Sequence, residues 1–399
     1  MLNDLHHSPI REILSVANRP GMISFAGGLP CPDTFPVLDV KVPQAALQYG
    51  TTEGDLALRQ RISKDLLELG LDCDAEQVLV VSGSQQGIDL VAKLFIDRET
   101  PVAVESPTYL AALQTFRFFG ARFVSFAPGQ CADQCLSQQR PAFAYVIPTF
   151  QNPTGHCYSV AQREALAVAC DQNAVPVFED DPYRDLVYTP CDRTPICAQL
   201  KKALWIYQGS FSKSLAPGLR LGFLAASRAL VPYLTRLKQA ADLHSNRLSQ
   251  WLVLNHLEHP DRAARRAALV ETYRAKRDTF ARELDGYFSG LADWGVPAGG
   301  LFFWLRLRTP LDTRRLLQPA LARGVAFMPG SPSILTRSDV AGHCGSISAT
   351  PTRPKWARVS ESWRNSYGKR GRPPGTARLD RRIMQSGAKP GVFPRPLYA

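Results

Sequence analysis

One lysine stands out by its setting in the stretch YQGSFSKSLAPGLRLGF, residues 207–223. Lys213 lies in a serine-rich loop that follows the apolar run LWIY and precedes a second apolar run after Arg220. Most lysines are solvated surface charges, but partial burial lowers the pKa of a lysine amine and frees it as a nucleophile. The setting therefore predicts a lysine that can form a Schiff base with a carbonyl cofactor.

Other residues that could serve such a cofactor follow apolar runs elsewhere in the chain. Asn152 opens NPTG after FAYVIPTF, Asp180 and Tyr183 lie in EDDPY after VPVF, and Tyr109 follows PVAVE. SGSQ, at 82–85, ends QVLVV and opens a helix, and backbone amides at a helix N-terminus bind phosphate. Each pattern alone is also typical of an ordinary turn or a solvated surface. Together they supply what pyridoxal phosphate needs: an amine, a carboxylate, an anion site and an aromatic ring.

The elements that must position these residues alternate between strand and helix. About seven apolar strands lie between residues 78 and 226, among them 78–81 and 102–105, and helical segments such as 109–119 separate most of them. This pattern predicts a mostly parallel α/β sheet buried between helices. Ligands of such sheets bind beyond the C-terminal strand ends. The candidate cofactor-binding residues described above follow those strand ends.

The rest of the chain predicts a second, smaller α+β domain and a tail. Long helical stretches follow Ser227, and a strand is expected at 299–308 before a further helix and short strand. A helix over 8–20 begins the N-terminal arm, 1–40, which we assign to the small domain. We expect the large domain at 41–245, the small domain, incomplete, at 246–341, and a disordered basic tail at 342–399.

Composition limits the class of protein. The chain has 399 residues, 45% of them apolar, and no apolar run long enough to span a bilayer. These features predict a soluble protein, and the N-terminal residues do not have the pattern of a secretory signal. Nine cysteines without metal-ligand spacing indicate a reducing compartment, the cytoplasm, and no metal site. The net charge of +12 comes mainly from 342–399, where twelve basic residues face two acids. The near-neutral body gives no reason to expect nucleic-acid binding.

At the level of motifs the sequence resembles the fold-type I, class I/II aminotransferases, which depend on pyridoxal phosphate. It is most similar to the branch of aminoadipate and kynurenine aminotransferases, whose domain also forms the C-terminal half of MocR-type regulators. The resemblance covers about residues 8–340 and is carried by SPIREI, FAGGLP, YGTTEGDLALR, SGSQQGIDL, PTYLAAL, PTFQNPTG, EDDPY and GSFSKSLAPGLRLGF. It implies a fold-type I PLP-transferase, with a seven-stranded large domain and a smaller α+β domain.

The resemblance also implies a reaction and the residues that carry it. The reaction moves an amino group from an amino acid to a 2-oxo acid by a ping-pong mechanism through an aldimine and a ketimine. Lys213 would be the Schiff-base lysine and the proton shuttle. Asp180 would pair with the pyridine nitrogen, Asn152 and Tyr183 would bind the phenolic oxygen, and Tyr109 would stack on the ring.

The remaining contacts implied by the resemblance concern the phosphate, the partner subunit and the substrate. The phosphate would be held by Ser84, Gln85, Ser210 and Arg220. Tyr49 would reach the phosphate in the neighbouring subunit's site, which implies a homodimer.

Three residues would lie at the substrate: Gly28 near its carboxylate, Arg11 near its side chain, and Asn152. After GVAFMPGS, however, the family continues with a strand resembling LRLNFS, whose arginine pairs with the substrate carboxylate. This chain reads AGHCGSISATPTRPKWARVSE instead.

The departure predicts a frameshift near Gly342. Codons exist for which the frame beginning at the third base of the Gly342 codon encodes ALRLNFSNADPAEMGAGIRILAELLRE. In that frame His343-Cys344 must give leucine, and Cys344-Gly345 can give only arginine or tryptophan. Loss of the arginine and of the last strand and helix predicts a chain that keeps its cofactor residues but folds poorly or turns over slowly.

Three alternatives remain open at this point. Another PLP reaction on the same scaffold, such as a C–S or β-lyase, would give pyruvate and ammonia. A remnant of a MocR-like regulator would need a winged helix-turn-helix ahead of SPIREI, where this sequence has seven residues. A nucleic-acid binder using the basic tail would bind with a steep salt dependence, but no fold motif supports it.

Overall fold

The computed structural model describes residues 21–36, 40–127, 133–309 and 311–330, and the backbone of a two-residue strand at 343–344. The predicted helix at 8–20, with Arg11, lies outside the described residues. So does the predicted tail at 342–399, apart from that strand.

The described residues form twelve strands and nine α-helices. The strands are β1 Ile23–Ser24, β2 Val78–Val81, β3 Pro101–Glu105, β4 Arg122–Phe126, β5 Ala144–Val146, β6 Val177–Asp180, β7 Trp205–Ser210, β8 Gly222–Ala226, β9 Ala292–Trp294, β10 Leu305–Leu307, β11 Val325–Ala326 and β12 His343–Cys344. The helices are α1 Leu56–Leu67, α2 Ser84–Phe95, α3 Leu110–Phe118, α4 Asp133–Gln139, α5 Val160–Asn173, α6 Val231–Asp242, α7 Arg247–Glu258, α8 Arg262–Phe288 and α9 Arg314–Leu321.

Seven strands form the central sheet in the order β2-β8-β7-β6-β5-β3-β4. Strand β8 is antiparallel to β2 and β7, and the other neighbours run parallel. Apolar clusters cover both faces, one including residues of α1 and α5 and the other residues of α2, α3 and α6. Both faces are buried, so the strands can be apolar throughout. The predicted mostly parallel, seven-stranded α/β sheet is confirmed.

The strand pairing brings several predicted site residues to one edge of this sheet. Asp180 at the end of β6 pairs with Gln208 of β7. Ser210, which ends β7, pairs with Gly222, which begins β8, and Gly222 also pairs with Val81 at the end of β2. Thus the C-terminal ends of β2, β6 and β7 open onto the same space.

Two small sheets lie outside the central one. Strand β10 is antiparallel to β9 and β12, and β1 is parallel to β11. A separate apolar cluster joins β1, β9, β10 and β11 to α8 and α9. The chain order helix, strand, helix, strand predicted for this region is present.

The strand predicted at 299–308 is wrong over its first half, because only Leu305–Leu307 form β10. Gly299 makes an isolated bridge with Val187, and Gly300 has a φ of +74° that no strand maintains. A methyl group at Gly299 would lie within 2.2 Å of the Phe150 ring. The two glycines let the backbone turn against Phe150 before the strand begins.

Within the part of the chain that the structure describes, no helix is long and apolar enough to cross a membrane. The same residues contain no group of three or more His, Cys, Asp or Glu side chains placed to hold a metal ion.

Candidate active site

Lys213 lies in the loop between β7 and β8, half-buried, and it contacts the N-terminal region of the chain. Its Nζ donates a hydrogen bond of 2.9 Å to the carbonyl oxygen of Gly28 and lies 6.0 Å from the centre of the Tyr183 ring. Burial, and then the positive charge of Arg220, lower the pKa of Lys213 to about 8. About a tenth of the amine is therefore neutral at pH 7, far more than for an ordinary lysine, and the neutral form is the nucleophile.

Asp180 is buried at the end of β6 and is held by side chains of both neighbouring strands. Tyr145 of β5 donates to Oδ2 over 2.8 Å, and Gln208 of β7 donates to Oδ1 over 2.8 Å. Burial raises the pKa of Asp180 to about 6, although the two hydrogen bonds lower it. None of the ion pairs among the described residues includes Asp180. The carboxylate is thus oriented and desolvated, and a cationic N–H group would stabilise it.

Three further predicted residues lie in this region. Asn152 Nδ2 donates to the Tyr183 hydroxyl over 3.3 Å. Burial, and then the nearby carboxylate of Asp180, raise the pKa of Tyr109 to about 12, and the charge of Arg220 opposes this. Tyr109 therefore lies within electrostatic reach of both Asp180 and Arg220.

A candidate anion site lies where α2 begins. A methyl group at Gly83, which precedes the helix with a φ of +79°, would lie 2.6 Å from Nη2 of Arg220. A methyl group at Gly222 would lie 3.1 Å from the backbone nitrogen of Ser84. Ser210 pairs with Gly222, so the end of β7, the Arg220 guanidinium and the backbone nitrogen of Ser84 lie in one region. This combination binds phosphate.

Gln85 and Tyr49 are placed differently from the other predicted contacts. The side chain of Gln85 donates to Thr115 of α3 over 3.1 Å, so its backbone N–H is what it offers at the helix N-terminus. Tyr49 is 76% exposed and packs edge-on against His244, with ring centres 5.6 Å apart. Its ring contact therefore lies with His244 rather than with the Lys213 loop of the same chain.

The structure adds residues that the sequence analysis missed. Tyr145 and Gln208 orient Asp180, and Phe302 packs edge-on against Tyr183 with ring centres 5.2 Å apart. Phe302 also lies where a methyl group on Gly28 would be 2.8 Å from its ring. A polar residue inside an apolar strand was the available signal for Tyr145 and Gln208. Phe302 gave no such signal, since it lies among other apolar residues.

These groups fit pyridoxal phosphate. The amine of Lys213 suits an aldehyde, the desolvated carboxylate of Asp180 suits a protonated ring nitrogen, and the α2 N-terminus with Arg220 suits a phosphate dianion. The set thus provides a nucleophile for the aldehyde, a carboxylate for the ring nitrogen and a guanidinium for the phosphate. All the residues used in this match lie in the part of the chain that the structure describes.

Comparisons with known proteins agree with this chemistry. The family model Aminotransferase class I and II matches residues 24–359. A 2-aminoadipate transaminase of Thermus thermophilus is 37% identical over 344 residues, covering 82% of this chain and 85% of that protein. Aromatic-amino-acid aminotransferase 1 of Thermococcus litoralis is 35% identical over 344 residues, covering 81% of this chain and 82% of that protein.

A solved structure is similar throughout. The α-aminoadipate aminotransferase of Thermus thermophilus, crystallised with N-(5'-phosphopyridoxyl)-L-leucine, has a TM-score of 0.81 and 32% identity. The match covers 92% of this chain and 97% of that one. The shared fold is that of fold-type I, and the cofactor is pyridoxal phosphate. This chain belongs to the class I and II aminotransferases, which are pyridoxal-phosphate-dependent transferases.

Proposed function

We propose that this aminotransferase uses Lys213 as the nucleophilic amine and as the base that moves a proton to and from the substrate. The observation that carries the proposal is the half-buried amine, with its pKa lowered to about 8, in one site with a buried carboxylate. General acid–base catalysis is most effective when the pKa of the group lies near the working pH. The amino donor and the oxo acceptor would bind and react at this one site in succession, which is a ping-pong mechanism.

The other side chains hold and tune the cofactor. Asp180 would keep a positive charge on the ring nitrogen. The hydrogen bonds from Tyr145 and Gln208 would keep the carboxylate of Asp180 oriented toward that nitrogen. Asn152 and Tyr183 would donate to the phenolic oxygen, and Tyr109 would cover one face of the ring. When bound, pyridoxal phosphate supplies an electron-withdrawing ring that stabilises negative charge on the substrate Cα.

The phosphate is assigned to the start of α2. Ser84 and Gln85 contribute backbone N–H groups, Ser210 a hydroxyl and Arg220 a guanidinium. The helix N-terminus adds a favourable dipole. Arg220 also lowers the pKa of Lys213. A phosphate dianion bound to Arg220 would offset this positive charge, so cofactor binding and the charge state of the Lys213 amine are coupled.

Substrate binding would use Gly28 and Asn152 near the carboxylate, with Arg11 toward the side chain. The arginine that family members carry in the LRLNFS strand is replaced here by the sequence after Ala341, so the carboxylate lacks that anchor. We therefore propose low catalytic efficiency for this chain. The relatives suggest 2-aminoadipate and aromatic amino acids as the first donors to test.

We further propose a homodimer in the cytoplasm that serves amino acid metabolism. Tyr49 supports the dimer, because an exposed tyrosine at this motif position is available to a second subunit's phosphate. The division into a large domain at 41–245 and a small one at 1–40 and 246–341 belongs to the same proposal.

The test is a product analysis with purified, PLP-loaded protein. Amino donor and 2-oxoglutarate are mixed, and the new amino acid, pyruvate and ammonia are measured. Transfer without ammonia supports an aminotransferase. Pyruvate and ammonia from a cysteine conjugate would instead identify a lyase. Absence of both reactions, with intact cofactor binding, in this chain and also in a chain whose LRLNFS strand is restored would overturn the proposal.

A further inference from the structure

Two half-exposed cysteines outside the candidate active site lie next to each other in space. They are Cys157, just before α5, and Cys191, in the loop between β6 and β7. Cys157 Sγ is 3.4 Å from the carbonyl oxygen of Asp192, the residue bonded to Cys191. Both cysteines pack against one hydrophobic cluster that includes Phe150 and Tyr188. Two segments far apart in sequence thus place their sulfurs together.

Arg163 holds these two segments in register. Its Nη2 contacts Cys157 Sγ at 3.7 Å and donates to the Asp192 carbonyl oxygen over 3.2 Å. Its Nε lies 3.1 Å from the Asp192 carboxylate, and the arginine is fully buried. A buried side chain with several hydrogen bonds loses little further entropy when the neighbouring sulfurs join. The guanidinium also places positive charge beside the Cys157 sulfur.

The two thiols differ in their surroundings. Burial, and then the contact with Cys157, raise the pKa of Cys191 to about 11, and the charges of Arg193 and Arg163 oppose this. Cys157 has the direct guanidinium contact, so it is the better first nucleophile. Cys191 then serves as the resolving thiol.

We propose that Cys157 and Cys191 are a modification site that forms a reversible intramolecular disulfide with small-molecule disulfides such as oxidised glutathione. The Cys157 thiolate attacks one sulfur of the disulfide and releases one glutathione thiolate. The Cys191 thiolate then attacks the Cys157 sulfur of the mixed disulfide and releases the second. The two cysteines lose two electrons to the glutathione disulfide, and their two protons pass to the two glutathione thiols.

The bond would cross-link the chain around the candidate active site. The closed loop runs from Cys157 to Cys191 and includes β6 with Asp180 and the turn with Tyr183. A cross-link of this kind restricts the unfolded chain and raises the unfolding temperature when the native geometry accepts it. The proposal is independent of the catalytic roles assigned above.

The experiment uses the full-length, PLP-loaded protein and oxidised glutathione. After exposure, free thiols are alkylated, and digestion with trypsin and chymotrypsin separates Cys157 from Cys131 and Cys135. We expect a cross-linked peptide pair containing Cys157 and Cys191, a loss of two alkylatable thiols and a higher unfolding midpoint. Dithiothreitol should reverse all three changes.

Single variants identify the pair. Cys157→Ser and Cys191→Ser should each abolish the cross-link. Cys31→Ser, at a half-buried cysteine on the same hydrophobic cluster, and Cys135→Ser, at a half-buried cysteine on another cluster, should both retain it. A stable glutathione adduct on Cys157 without a cross-link would overturn the proposal. So would a cross-link to another cysteine or a lower unfolding midpoint in the oxidised protein. Because the wild-type protein carries the main measurement, a variant that fails to fold leaves the test intact.

Discussion

The phenolic oxygen of Tyr145 lies 2.8 Å from Oδ2 of Asp180, and it donates a hydrogen bond to that carboxylate. The two residues lie on neighbouring strands, β5 and β6, and point to the same face of the sheet. One residue further, Asp181 points to the opposite face and accepts a hydrogen bond from Tyr207 over 2.9 Å. The alternation of a strand therefore gives two adjacent carboxylates separate tyrosine partners and separate surroundings.

This arrangement predicts unequal effects of two matched substitutions. Tyr145→Phe removes a donor from Asp180 and should weaken cofactor binding about tenfold or more, since a hydrogen bond to a charged group contributes about 1.5–3 kcal/mol. Tyr207→Phe removes a donor from Asp181 and should lower stability by a similar amount while cofactor affinity stays near wild type. Titration of the apoprotein with pyridoxal phosphate and thermal unfolding measure the two effects. Equal losses of cofactor affinity would contradict the assignment of Asp180.

Replacement of Lys213 should remove turnover. Lys213→Ala deletes the amine that we propose as nucleophile and proton carrier, so the rate should fall by about 10³-fold or more. The visible absorbance of the protein–cofactor complex should change with it. Lys93→Ala, which removes a surface lysine paired with Asp89, is the control and should keep full activity. Activity retained in Lys213→Ala would exclude the proposed role.

The burial of Asp180 predicts a pH-dependent cost in the apoprotein. Because the folded-state pKa is about 6 and the ordinary value is 3.8, the folded form binds more protons between these values. Stability should therefore fall as the pH rises from about 4 to about 6, by roughly 3 kcal/mol if the whole shift is expressed. Asp180→Asn should remove this contribution to the profile, while the contributions of buried Glu105 and Glu179, whose pKa values are also raised, to about 7, remain. The substitution should stabilise the apoprotein at pH 7 and weaken cofactor binding. Unfolding midpoints measured across this pH range check the prediction, and an unchanged profile would refute it.

The close approach of Arg220 to Gly83 predicts a steric test of the phosphate site. Gly83→Ala places a methyl group 2.6 Å from the guanidinium and requires a φ of +79° from alanine. Arg220 must move, which should weaken its charge-assisted hydrogen bond to the cofactor phosphate. Loss of one such bond should lower cofactor affinity by about tenfold or more. Gly218→Ala, where no atom lies within 4 Å of the added methyl, should bind the cofactor normally. The comparison of the two dissociation constants separates a local clash from general loss of structure.

Restoring the alternative frame after Ala341 should raise activity. A chain ending in ALRLNFSNADPAEMGAGIRILAELLRE regains an arginine for the substrate carboxylate, and loss of one partner in a buried charge pair costs about 2–5 kcal/mol. We expect kcat/KM to rise by about 10²-fold or more, mostly through KM. A second restored chain with leucine in place of that arginine is the control for the effect of the added strand and helix. Equal activity of the 399-residue chain and the restored chain would show that the arginine is dispensable.

The sequence predicted accurately the elements set by local interactions and less accurately those set by contacts between residues far apart in sequence. Strand β2 at Val78–Val81 and helix α3 at Leu110–Phe118 follow from local apolar pattern and turn residues, and both lie within a residue of the predicted bounds. The strand expected at 299–308 was too long because Gly299 and Gly300 serve a contact with Phe150, distant in sequence. No local pattern encodes that contact.

By itself, the sequence determined the family and the groups of the candidate site: an amine at Lys213, a carboxylate at Asp180 and a helix N-terminus after Gly83. These are properties of residue type and of short motifs, so they survive without coordinates. Only the tertiary structure decided which side chains support them. Tyr145 and Gln208 reach Asp180 because strand order places β5 and β7 on either side of β6, and Cys157 meets Cys191 because the hydrophobic cluster around Phe150 and Tyr188 draws their loops together. Strand order and packing depend on the whole chain, which is why local patterns cannot specify them.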